Sequence, residues 1–250
     1  MPEVPLELFE KAIKKVVALN QDFVPPYGSG ASLYIRPLLI GSGPEIGVMP
    51  SKEYTFLVFV TPVGPYFKEG FKPVDLLIER DSDRAAQLGT GHVKVGGNYA
   101  SSLRAIEKGH DKGYSSILYL DSKEKKYIDE CGPANFFAIK GNAYITPDSR
   151  SVLPSITNKS LIQIAEDLGL EIERRKIPLE ELTEFDEVGA CGTAAIIAPV
   201  KKIVDESENK TYEYCKDGNP GPISTKLYER LRAIQCGDEK DKWRWNTIIN

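Results

Sequence analysis

Lys94 sits among glycines. In "GTGHVKVGGNYASSL", residues 89–103, Gly89, Gly91, Gly96 and Gly97 surround it, Gly109 follows, and the pair Asn98-Tyr99 stands directly behind. A lysine amine becomes a Schiff-base nucleophile when burial makes its charged form costly, and glycines beside it let the backbone approach a flat ligand. Val93 and Val95 on either side point to a buried strand. The competing reading is a solvated surface amine, the usual state of lysine.

Other segments bear on the same chemistry. "LPSITNKSL" places a proline turn ahead of a helix start, so the backbone N–H groups of Ile156 and Thr157 face one spot where the helix dipole favours an anion. "GACGTAAI" adds Gly192, Thr193 and Ala194, a small-residue turn with a hydroxyl and open amides, suited to a phosphate or carboxylate. A tight turn before a buried strand would look the same. Glu130, in "YIDECGPANFF", stands in an apolar strand, a poor place for a charge unless something cationic meets it. A protonated pyridine nitrogen would do so, and a carboxylate on an edge strand in water is the alternative.

These residues need a folded frame, and the composition provides for one. With 250 residues, 41% hydrophobic and 27% charged, the chain has room for one large domain or two modest ones. Its 32 basic and 36 acidic residues, net charge −4, are interspersed, which leaves no electrostatic footprint for nucleic acid. The 4 cysteines are far apart and only 2 histidines accompany them, so no zinc-ligand spacing arises and a reduced, cytoplasmic chain is expected. The most apolar run, "YTFLVFVTPVG", is about half the length of a membrane span and closes on a proline. No signal peptide is read at the front and no membrane partner is expected.

The pattern along the chain predicts an amphipathic first helix with Leu8, Ile13, Val16, Val17 and Leu19 on one face, then strands over "ASLYIRPLLIG" and "EYTFLVFVTPVG". "PVGPYFKEGFKPV" is the best linker. Beyond it come the strand "DLLIER", the lysine segment, a helix from about Ala100 to Lys112, and the strand "SILYLDS". "YIDECGPANFFAIKGNAYITP" reads as two strands with a Gly141-Asn142 turn. A helix capped by Ser155, the strand "LEIERRKI", a helix over "LEELTEF", the segment "ACGTAAIIAPV" and a last helix over "STKLYERLRAIQCG" complete the chain. Mixed order and short strands favour an α+β fold. "GSGPEIG" is no dinucleotide fingerprint: its glycines are wrongly spaced and Pro44 blocks the crossover helix.

In this order the segments resemble the branched-chain amino acid aminotransferases of the fold-type IV pyridoxal phosphate enzymes. The resemblance runs over essentially the whole chain through "SLYIRPLLIGSGPEIGV", "TPVGPYF", "GTGHVKVGGNYASSL", "LPSIT" and "GACGTAAIIAPV". D-amino acid aminotransferases and aminodeoxychorismate lyases share the scaffold but lack "SLYIRPLLIG". The resemblance implies a two-domain α+β architecture, D-amino acid aminotransferase-like: residues 1–63 from a small domain, 64–76 a linker, 77–250 a large domain binding pyridoxal 5'-phosphate. It implies that Lys94 carries the cofactor as a Schiff base and shuttles the catalytic proton. Tyr99 would bond the cofactor's phenolic oxygen and Glu130 its ring nitrogen, while Ile156, Thr157 and Thr193 would hold the phosphate. Thr193 and Ala194 would meet the substrate carboxylate, and Tyr34 and Arg36 would line the pocket, Arg36 facing the side-chain carboxylate of glutamate. Ile46 and Val48 would reach into the partner subunit's pocket of a homodimer. The implied substrates are leucine, isoleucine, valine, their 2-oxo acids, and glutamate with 2-oxoglutarate.

Two departures from the family pattern modify these expectations. Positions that form a Cys-x-x-Cys pair in some relatives are Ala195 and Ala198 here, so thiol regulation there is not expected. "MPEVPLELFEKAIKKVV" resembles sequence from inside the small domain, so that domain is expected to be truncated, without its first strands, a phosphate-gripping arginine and an aromatic pocket residue. An impaired fragment that folds or dimerises without turnover is the alternative to an active enzyme.

Overall fold

The computed structural model describes residues 1–64 and 71–249. The chain divides into two compact units, one of residues 1–68 with 243–250, the other of residues 69–242. Residues 243–250 therefore group with the front of the chain and not with the large domain expected to contain them. Of the expected linker 64–76, residues 65–70 lie outside the described residues, and Val74–Leu76 already belong to a strand.

In the first unit, helix α1 (Leu6–Leu19) follows Pro5, whose missing N–H and fixed φ suit a helix start. Strands β1 (Ser32–Gly41) and β2 (Tyr54–Val63) pair antiparallel over their full length, as their β-branched and aromatic content predicts. Phe9 of α1 stacks on Phe56 of β2, ring centroids 5.9 Å apart. The inward face of α1 is thus the Phe9, Ile13, Val16 and Val17 stripe, while Leu8 and Leu19, expected on it, are 50% and 72% exposed. Among the described residues of this unit none is fully buried.

The second unit holds β3 (Val74–Glu79), α2 (Gly96–Asp111), β4 (Ser116–Leu120), β5 (Ile128–Cys131), β6 (Ala134–Lys140), β7 (Ala143–Pro147) and α3 (Ile156–Asp167). It continues with β8 (Glu171–Arg175), β9 (Glu187–Gly192), β10 (Ile196–Asp205), β11 (Lys210–Glu213) and α4 (Pro222–Cys236). The stretch "LEELTEF", expected as a helix, is a 3-10 segment over Leu179–Glu184. Residues 127–147 form three strands, not two, because the chain also reverses at Gly132-Pro133, where Gly132 takes φ +58°. The Gly141-Asn142 turn joins β6 to β7 as expected.

Strand β9 pairs with both β6 and β10, so β3, β4, β5, β6, β9 and β10 close into a ring, with β7–β8 and β11 extending it. The β3–β4 and β3–β10 pairs are parallel and the others around the ring antiparallel, the mixture of an α+β fold. "SILYL" and "NFFAI" are buried along their lengths, which their continuous apolar runs anticipate. Helix α2 lies on β3 and β4, with Ala105 against Leu77, Ile117 and Tyr119. Helix α4 is capped from a distance: both oxygens of Glu187, on β9, accept from the first-turn amides of Ile223 and Ser224, each at 2.8 Å. No helix among the described residues is long and apolar enough to cross a membrane.

Candidate active site

Lys94 does not lie in a buried strand. The chain turns at Thr90–Val93, Val93 is 43% exposed, and α2 begins at Gly96, four residues before the expected start at Ala100. The loop is held by a side chain instead of a neighbouring strand. The buried Asn98 donates to the carbonyls of Thr90 (2.7 Å) and Val93 (3.0 Å), and Thr90 Oγ1 donates back to Asn98 Oδ1 (2.9 Å). Glycines 96 and 97 can open a helix because the first-turn N–H groups have no intrahelical partner to lose. A Cβ at either would meet no atom within 4 Å, so this end of α2 faces open space.

Lys94 is an exposed residue, yet its amine is engaged: Nζ donates to Tyr99 Oη at 2.9 Å. The two side chains face an open cleft, which Arg84, Glu130, Pro133 and Leu153 also line. The amine is marked by its neighbours, not by burial.

Glu130 is the hub of the cleft. Only 3% exposed, it accepts from the Leu153 amide (2.6 Å) and Asn135 Nδ2 (3.2 Å) at Oε1, and pairs at Oε2 with Arg84 Nε (2.9 Å). Burial pushes its carboxyl up to about 7, against the opposing pull of Arg84 and the Leu153 amide. A carboxylate accepts about four hydrogen bonds, so roughly one position remains for a further donor. The sheet fixes this hub: Glu130 of β5 is opposite Asn135 of β6, which is opposite Cys191 of β9.

Cys191 leads into the turn Thr193–Ala195, which joins β9 to β10 and exposes Thr193 and Ala194. The turn ends at Ile196, a β-branched residue at φ +62°, a strained conformation held by the ladder pair with Gly192. On the other side, the Leu153 amide that bonds Glu130 lies just ahead of α3. Ser155 caps that helix, its Oγ accepting from the Asn158 amide at 3.2 Å, which leaves the earlier amides of Ile156 and Thr157 as the open end of the dipole.

The fold thus brings together Lys94, Tyr99 and Glu130 in one cleft, and hydrogen bonds and ladder pairs tie the α3 start and the 193–195 turn to Glu130. Tyr34, Arg36, Ile46 and Val48 belong to the other unit. There the Arg36 guanidinium lies 5.1 Å from the centre of the Tyr34 ring on β1, and Ile46 and Val48 are fully exposed in the β1–β2 loop. Arg84 and Asn135 escaped the sequence reading, which noted Asn98 beside Tyr99 but gave it no role. The usable signal was the buried carboxylate itself, which demanded a cation without saying which one.

A flat ligand with a carbonyl carbon at the amine, a ring N–H at Glu130 and an anionic group at a helix start would fit these groups. Residues 1–203 match the family described as "Amino-transferase class IV". The "Branched-chain-amino-acid aminotransferase" of Haemophilus influenzae is 48% identical over 98% of this chain and 73% of its own length. The "Branched-chain amino acid aminotransferase 2, chloroplastic" of Humulus lupulus is 44% identical, and this chain spans 60% of its length. Among solved structures, the "Branched-Chain Amino Acid Aminotransferase Complexed with N-(5'-Phosphopyridoxyl)-L-Glutamate" from T.th. superposes with a TM-score of 0.81 at 29% identity, over 100% of this chain and 77% of that one. The chain belongs to the class IV aminotransferase family.

Proposed function

We propose that this chain transfers the amino group between leucine, isoleucine or valine and 2-oxoglutarate, with pyridoxal 5'-phosphate as cofactor. The observation that carries the reading is the Lys94–Tyr99 pair at one side of a cleft that also holds a buried carboxylate with an acceptor position to spare. The solved relative carrying a phosphopyridoxyl adduct of glutamate supports both cofactor and substrate. When bound, the cofactor supplies an electron sink for proton loss at the substrate Cα. Lys94 would hold it covalently and would also move the proton at the substrate Cα. Tyr99 orients the amine through its hydroxyl, and Glu130 keeps a ring nitrogen protonated by offering it an anion. The amides of Ile156 and Thr157, with Thr193, take the phosphate, and the Thr193-Ala194 turn takes the substrate carboxylate. Tyr34 and Arg36 line the substrate pocket, Arg36 for the distal carboxylate of glutamate. Ile46 and Val48 serve the partner subunit of a homodimer.

The test mixes the purified chain with the cofactor, leucine and 2-oxoglutarate, and follows glutamate formation and the Schiff-base absorbance. Both are expected, and both should vanish in Lys94→Ala. Absorbance that survives this substitution refutes the assignment. A folded chain giving neither signal is the impaired fragment.

A further inference from the structure

We propose that Arg84 is a positioning residue that holds Glu130 as an anion and locks it in register with the Lys94 loop and the approach to α3. The inference rests on the pyridoxal phosphate reading only in what the anion is for. Arg84 Nε meets Glu130 Oε2 at 2.9 Å, with side chains 11% and 4% exposed. Its Nη2 donates to the Gly91 carbonyl at 3.3 Å and also to the Ser151 carbonyl. Gly91 and Ser151 are themselves in backbone contact, since a Cβ on Gly91 would come within 2.6 Å of Ser151 Cα. The carbonyl of Arg84 accepts from Ser101 Oγ of α2 at 2.8 Å. One residue therefore joins β5, the lysine loop, the segment before α3, and α2, the parts that must hold a flat ligand at several points.

Its charge matters as much as its reach. A buried carboxylate without a cation takes up a proton. A protonated Glu130 would present a neutral acid to a ring N–H. The other titratable groups around Glu130 do not replace Arg84. Lys94 is the weaker of the two cations acting on it, and Asp129 opposes ionisation. The neighbouring thiols Cys131 and Cys191 are kept neutral by burial. A planar fork bonding a carboxylate and carbonyls from separate segments is a task for arginine, not lysine.

The test compares the parent, Arg84→Gln, Glu130→Gln and the double variant. With the Glu side chains carboxyl-labelled, NMR on the cofactor-free protein follows the Glu130 titration, assigned by its loss in Glu130→Gln. Arg84→Gln should raise its midpoint by at least about one pH unit. An unmoved midpoint overturns the proposal, whatever becomes of the cofactor reading. With pyridoxal 5'-phosphate added, the affinity ratio of parent to Arg84→Gln should be at least about fivefold near pH 7 and shrink towards pH 8.5. A purely structural loss would give a ratio independent of pH, which also overturns the proposal. If Arg84→Gln alone does not fold, the double variant decides. Recovery of a folded protein once the unpaired carboxylate is gone supports the proposal, and failure of both overturns it.

Discussion

The cap on α4 offers a sharp test of how the second unit is held together. Glu187 is 7% exposed and accepts from two consecutive amides at the start of α4, one of them on Ser224, which is 1% exposed. Glu187→Ala strands both donors where water reaches them poorly. An unsatisfied buried amide costs about 1–3 kcal/mol, and a carboxylate at a helix start contributes about 0.3–1 kcal/mol through the dipole. With partial hydration of the Ile223 amide, the expected loss is about 2–5 kcal/mol. At roughly 2–4 °C per kcal/mol for a unit of this size, Tm should fall by about 4–20 °C, read by far-ultraviolet circular dichroism. Glu187→Gln keeps one acceptor oxygen and should lose about half as much. A Cβ on Gly221 would overlap the Glu187 carboxylate, so Gly221→Ala should displace the same cap. Its cost should therefore be smaller in the Glu187→Ala background than in the parent. A Tm for Glu187→Ala within about 2 °C of the parent, or equal costs of Gly221→Ala in both backgrounds, would refute the reasoning.

Further expectations concern the cleft. Burial raises Glu130 from 4.5 to about 7, so in the cofactor-free protein its stabilising contribution is complete below pH 4.5 and is lost as pH rises through 7. The difference in urea-unfolding free energy between parent and Glu130→Gln should fall by about 3 kcal/mol over that window, and a flat difference contradicts the assignment. Gly91→Ala forces the lysine loop off the Ser151 backbone, at a cost of about 1–3 kcal/mol, and should weaken cofactor uptake more than tenfold in an absorbance titration.

What could be read from the sequence was local. Ser155 announces its helix because a hydroxyl three residues ahead of an amide is a short-range cap, and the Gly141-Asn142 turn is legible for the same reason. Lys94 and Glu130 were singled out by their surroundings, glycines around the one and an apolar strand around the other, while the role of Tyr99 came only through the resemblance; Val93 and Val95 misled because apolar flanks do not make a strand without a partner strand. The early start of α2 was hidden by glycines that read as loop. Arg84 was invisible for a different reason. Its partner lies in another strand, and only the β3–β4–β5 pairing brings the two within reach. Closure of the ring is likewise a pairing choice that no single segment encodes.

That closure has a kinetic consequence. The β3–β10 contact, fastened by Arg80 and Asp205, joins positions 125 apart in the chain, and β9 completes its pairing only when β6 and β10 are both in place. Such long-range pairing makes for slow folding with late completion. The anionic hub and the turn opposite it come from strands on both sides of this last seam. Competence to take up a ligand should therefore emerge at the end of refolding, after most helical signal has already returned.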